Sequence, residues 1–207
     1  MLCHVFVNGT EAQGRAFFRP LLELQPLKMW ARTMPYKEAN RQATDTAGRK
    51  RRLLSGANFK VPLAVELVGA VVREFVPFLT ENGIALASGV MFEMFPNRKI
   101  REVDPGATAF PCRGDWYHVS VCFTWDNASM DEDIRAFNSR LIRMISERGW
   151  MSDGSRYLNY DGGDYIDPMR AFGNNLLSLH LLKADYDPHN LFRKYGLWHR
   201  YSWESRG

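Results

Sequence analysis

Apolar and polar residues alternate through Trp116–Trp125. One set is Trp116, His118, Ser120, Cys122 and Thr124; the other is Tyr117, Val119, Val121, Phe123 and Trp125. A period of two sends these sets to opposite sides of a sheet. The second set predicts a core face. The first is polar but uncharged, which suits a covered cleft better than open solvent. Further upstream the period changes. Leu63, Leu67, Val71 and Phe75 recur every four residues, so Val61–Leu79 predicts an amphipathic helix, with Gly83 just beyond its end.

The same reading places the other elements. Leu2–Val7 predicts a strand that Asn8-Gly9 ends, and Glu11–Leu24 a helix bent at Pro20. Residues 25–60 read as polar and irregular, with at most a short helix. Gly83–Phe95 reads as a strand interrupted by Gly89. Ser129 and Glu132 have capping-box spacing, so a helix is expected from there to about Arg148, stopped by Gly149. Tyr157–Tyr160 predicts a short strand, and about Pro168–Lys183 a last helix that Asp187-Pro188 breaks. No repeat or low-complexity linker divides the chain, so 1–207 reads as one domain. The order of elements implies an α+β fold: an antiparallel β-sheet covered by helices on one face.

Composition narrows the class. Apolar residues at 45% and charged residues at 24% give the balance of a globular protein. Aromatic residues reach 13%, enough to line a cleft with rings. The net charge of +4 is too small, and too dispersed, to predict nucleic-acid binding. The one dense basic run, Arg49-Lys50-Arg51-Arg52, reads as a solvated loop or helix end. Three widely spaced cysteines, Cys3, Cys112 and Cys122, argue against a disulfide framework and a zinc site. Asp161, Asp164 and Asp167 do not have the spacing of a calcium loop. No signal peptide or membrane span is visible, so the expectation is a cytoplasmic protein without membrane or metal.

Several motifs in order carry a resemblance. Tyr157-Leu158-Asn159-Tyr160-Asp161 is followed by Phe172-Gly173-Asn174-Asn175, then Leu182-Lys183 and Tyr186-Asp187-Pro188-His189-Asn190-Leu191-Phe192. The series resembles the C-terminal segment of the berberine-bridge-enzyme-like FAD-linked oxidases. Phe110-Pro111-Cys112-Arg113 and the strand after it resemble the family's Phe-Pro-His-Arg turn, with Cys112 where His is usual. Gly9-Thr10 and Met34-Pro35-Tyr36 also sit where the family's substrate domain has similar residues. The resemblance implies the fold of that substrate domain. The family's flavin domain carries a Gly-Gly-His element, which this sequence does not contain.

The resemblance also implies a site. The family places acid–base groups at two strand positions that fall on His118 and Ser120. His118 can exchange a proton near neutral pH, whereas Ser120 cannot act as a base. Tyr157 matches a family tyrosine that serves as base or substrate anchor, and a protonated His118 beside it would favour its ionised form. Asn159, two residues on, faces the flavin edge in the family. His118 and Tyr157 are therefore the expected catalytic pair; Trp116, Ser120, Cys122, Asn159 and Glu93 are the expected substrate contacts. Each also has a plain structural reading: a satisfied half-buried histidine, a retained Tyr-x-Asn, a small core cysteine, a strand-edge carboxylate.

The reading preferred on the sequence is a flavin-independent isomerase or cyclase of secondary metabolism, with no cofactor and a small apolar or conjugated substrate. The alternatives are the substrate half of an oxidase whose FAD is bound by another chain, and a non-catalytic binding domain that forms a homodimer.

Overall fold

Five residues of β3 (Tyr117–Trp125) point inward and make it the centre of the fold. Val119, Val121 and Phe123 are fully buried, and Trp125 nearly so. The computed structural model describes residues 3–41, 50–84, 87–110, 112–150, 157–160 and 168–192. Contacts divide the backbone into two units, 1–48 and 49–207.

In the first unit, α1 (Glu11–Phe17) and α2 (Arg19–Leu22) occupy the expected helix. They part at Phe18, just before Pro20, whose ring is tolerated only in a helix's first turn. Thr10 and Gln13 cap α1 reciprocally. A short α3 (Tyr36–Arg41) follows. The expected first strand is not formed, because residues 3–7 have no regular structure.

The second unit is a three-stranded antiparallel sheet in the order β1-β3-β2, backed by helices. Its β1 (Arg51–Phe59) lies in the stretch expected to be irregular. Arg51, Arg52, Ser55, Gly56 and Asn58 mask the pattern, yet Leu53, Ala57 and Phe59 alternate into the core. Arg51 and Arg52 are strand residues opposite Trp125 and Thr124, rather than a solvated loop. Arg51 is held by Asp131, whose carboxylate also accepts the Trp125 indole N–H at 2.9 Å. The Arg51 guanidinium holds that carboxyl below its usual range.

The chain then forms α4 (Val65–Glu81), which starts four residues later and ends two residues later than its pattern suggests. Gly83 takes φ 60° just after it. There the Ile84 N–H reaches the Leu79 carbonyl at 3.0 Å, closing a Schellman turn. Within the expected 83–95 strand, β2 covers only Gly89–Glu93. After α5 (Arg98–Arg101) and β3 comes α6 (Asp131–Arg148). It does not use the Ser129 capping box. Asn127 instead accepts the Ser129 N–H at 3.0 Å and starts a 3-10 turn, Ala128–Met130, ahead of the helix.

Helices α4 and α6 cover one sheet face. Leu67, Val71 and Phe75 meet Ile134, Phe137, Leu141, Ile142 and Ile145 over Phe59, Val119, Val121 and Phe123. The Phe78 and Phe137 rings stack at 3.8 Å. Each such side chain stabilises the fold by about 1.5–3 kcal/mol through burial. Leu158–Tyr160 forms a 3-10 turn where a strand was expected. The last helical stretch is split into α7 (Pro168–Phe172) and α8 (Leu176–Tyr186) by a 3-10 turn at Gly173–Asn175. The α+β class, with helices on one face of an antiparallel sheet, is the one expected. Asp161, Asp164 and Asp167 lie outside the described residues.

Candidate functional site

The sheet face turned away from α4 and α6 is built by register. His118 stands opposite Asn58 on β1 and Glu93 on β2; Ser120 stands opposite Gly56 and Met91. Paired residues share a face, so three strands deliver Asn58, Glu93, His118 and Ser120 to one patch. His118 and Ser120 are buried, at 9% and 4% exposure, although they face away from the apolar core.

The 3-10 turn covers them. Tyr157 stacks on His118 with ring centroids 5.0 Å apart and planes 24° from parallel. Tyr160 lies edge-on to both rings, at 5.2 Å from Tyr157 and 6.4 Å from His118. Gly56 permits this approach: a Cβ there would fall 2.7 Å from the Tyr160 Cβ. The Tyr160 hydroxyl donates to Glu93 Oε1 at 2.6 Å, and Ser120 Oγ donates to the same oxygen at 3.3 Å. The Tyr157 hydroxyl oxygen accepts the Asn159 Nδ2–H at 2.7 Å. Phe110 packs edge-on against Tyr157 at 6.0 Å.

Electrostatics separate the roles. Burial pushes His118 below the ordinary histidine value, and the nearby Glu93 carboxylate opposes that only in part. Burial thus favours the neutral imidazole, able to accept a proton, over the cation that would promote ionisation of Tyr157. Burial and the Glu93 hydrogen bond push Tyr160 far above the ordinary phenol value. Tyr160 remains a neutral hydroxyl that anchors Glu93.

The expected catalytic pair, His118 and Tyr157, is therefore in ring contact. Ser120, Glu93 and Asn159 join it, Asn159 through a 3-10 turn instead of a shared strand face. The Trp116 ring folds over its own turn, so close that a Cβ on Gly114 would overlap it. Cys122, a half-buried free thiol, is four residues along β3 from His118, about 13 Å away. Asn58 and Tyr160 are the members that sequence reasoning missed. Asn58 Oδ1 lies 2.8 Å from His118 Nδ1. The repeat of tyrosine in Tyr157-x-x-Tyr160 was the available signal for the second.

Among the described residues no group of three or more His, Cys, Asp or Glu could hold a metal, and no helix is long and apolar enough to cross a membrane. The cluster does not make an FAD site by itself. Its charged member is the Glu93 carboxylate, which would repel a diphosphate, and the sequence has no Gly-Gly-His for flavin attachment.

Comparison with known proteins agrees with this architecture. The family model described as "Berberine and berberine like" matches residues 156–195. An FAD-linked oxidoreductase of Neurospora crassa, srdI, is 27% identical over 198 residues, 90% of this chain and 39% of that protein. The structure of CrmK, a flavoenzyme of caerulomycin biosynthesis, superposes with a TM-score of 0.64 at 18% identity, covering 87% of this chain and 40% of its own. Aclacinomycin oxidoreductase gives a TM-score of 0.60 at 20% identity, covering 89% and 41%. The chain spans about 40% of the length of the curated relatives that it matches along most of its length. The chain is thus similar to one portion of FAD-linked oxidoreductases, and its fold is that of the matching part of CrmK and of aclacinomycin oxidoreductase.

Proposed function

We propose that this chain carries the substrate-facing surface of an FAD-linked oxidoreductase of secondary metabolism, with His118 taking the proton in its reaction and Tyr157 holding the substrate beside it. The observation that carries this reading is the stacked His118–Tyr157 pair on the side of the sheet turned away from α4 and α6. The substrate class is a small conjugated organic molecule. Phe110, Tyr157 and Tyr160 offer ring faces and hydroxyls, and Glu93 is tied by two donors, so neutral planar molecules suit the patch. Its flavin would be held by other residues, since these do not fit that cofactor. When bound, a flavin supplies an electron acceptor. His118 supplies a proton acceptor beside it, and Tyr157 orients the ligand by stacking and by its hydroxyl.

A second reading, the flavin-independent isomerase or cyclase, is favoured by one fact. Both proton-carrying groups reside within this chain, and a proton shuttle between them requires no electron acceptor.

One experiment separates the two. The purified chain is titrated with a panel of planar phenols and quinones, followed by aromatic fluorescence, and each mixture is analysed by mass spectrometry with and without FAD. Binding without chemical change, with no FAD retained, supports the first reading. A product of unchanged mass formed without FAD supports the second. Failure of every planar ligand to bind overturns both.

A further inference from the structure

Asn58 has no assigned role, and its placement gives it one. It is 3% exposed, in register opposite His118, with Oδ1 2.8 Å from His118 Nδ1. An amide oxygen has lone pairs and no hydrogen, so it can only accept. The proton of the neutral ring must therefore sit on Nδ1. Nε2 then keeps its lone pair, and among the described residues it has no hydrogen-bond partner. We infer that Asn58 is the positioning residue that fixes the His118 tautomer, making Nε2 the nitrogen that accepts the substrate proton.

This rests on the proposed role of His118 as proton acceptor and adds which atom does the work. The geometry is held from several directions. The β1–β3 register fixes the Asn58 backbone, and a one-residue slip would place Ala57 or Phe59 opposite His118, neither with an acceptor. Just beyond, the Lys60 N–H donates to the Gly149 carbonyl at 3.1 Å, anchoring the end of β1 to the end of α6. Above, the Tyr157 ring holds the imidazole plane. An imidazole free to rotate or to exchange tautomers would also present Nε2–H, and in that form could not take a proton there.

The test reads the tautomer itself. Nitrogen-15 NMR of the chain, with His118→Gln used to assign the ring signals, reports which nitrogen carries hydrogen. The wild type is expected to show an Nδ1–H excess of about tenfold, the worth of one buried hydrogen bond. Asn58→Leu, similar in volume but without an acceptor, is expected to bring the two forms toward parity. Asn58→Asp is expected to keep Nδ1–H and to raise the pH at which His118 protonates. The groups facing the ring in that titration are Glu93 from β2, residue 58 from β1, and Tyr157 and Tyr160 from the 3-10 turn. A wild-type ring carrying its proton on Nε2 overturns the inference, as does an unchanged tautomer in a folded Asn58→Leu protein. If that variant does not fold, the wild-type spectrum decides alone. Failure of the functional reading looks different: the Nδ1–H tautomer would be present while His118→Gln left turnover unaffected.

Discussion

His118 joins three kinds of restraint: a hydrogen bond at one nitrogen, a ring stacked on its face, and a carboxylate across the strand. Its lowered affinity for protons makes two predictions. The acid limb of turnover is expected below pH 6.5, and Glu93→Gln, which removes the group that raises His118, is expected to move it lower still, as a pH–rate profile would show. Stability follows the same sign. The unfolded histidine takes up a proton first as pH falls, so the contribution of His118 to stability is intact above about pH 6.5 and is lost as pH drops through the folded value. Urea melts at pH 7.5 and 5 for wild type and His118→Gln check this, the variant losing less on acidification. In turnover, His118→Ala is expected to cost about 10²–10⁴-fold. Tyr157→Phe, which keeps the stack but removes the hydroxyl, is expected to cost less, with a larger effect on KM than on kcat. Equal, negligible losses in steady-state kinetics would refute the pair. At this scale the sequence exposed His118, Tyr157, Ser120 and Asn159, because their spacing is local or their motif specific. It hid Asn58 and undervalued Glu93, because both owe their place to pairing partners far away in the chain.

Elements explain those misses. β1 reads as irregular because two arginines, a serine, a glycine and an asparagine interrupt its apolar positions. Four of them have a tertiary reason: Arg51 pairs with Asp131, Ser55 donates to Asn138 of α6, Gly56 receives Tyr160, and Asn58 meets His118. Tyr157–Tyr160 has strand-forming residues, yet packing on the sheet face coils it into a 3-10 turn. By contrast β3 and α4 are legible, since a long apolar stripe of one period leaves little choice, while α6 is legible from its ends even though the Ser129 cap that suggested its start is not the one used. The Gly56–Tyr160 contact is the seam between sheet and turn. Gly56→Ala is expected to cost about 1–3 kcal/mol of stability by overpacking. It would also lift Tyr160 from Glu93 and Tyr157 from His118, so activity should fall more than stability accounts for. Thermal melts paired with kinetics at a temperature where the variant remains folded test this; full activity would show that the turn need not sit on the sheet.

Across the whole molecule, burial is uneven. Neither α1 nor α2 contains a buried residue, whereas β3 and α6 contribute most of the second unit's core. Amide hydrogen exchange is expected to release α1 and α2 at far lower free energy than β3, whose protection should approach that of global unfolding. Uniform protection across both units would contradict that division. Leu54 and Met91 also leave apolar surface open on the face turned away from α4 and α6, at 39% and 57% exposure. That is the side on which the proposed substrate would lie, bounded by His118 at one end and Cys122 toward the other.

The strand order has a consequence for how the protein is made. The strand carrying His118 lies between its partners in space but follows both of them in sequence. During synthesis β1 and β2 leave the ribosome first, and each must wait with an unsatisfied edge until β3 arrives to fill the gap. Asn58 and Glu93 thus meet only through a residue translated after them. The nascent chain passes through an interval in which two edges are open to pairing with other chains; when β3 closes it, Asn58, Glu93 and His118 come together, and Tyr157 and Tyr160, translated later still, then cover them.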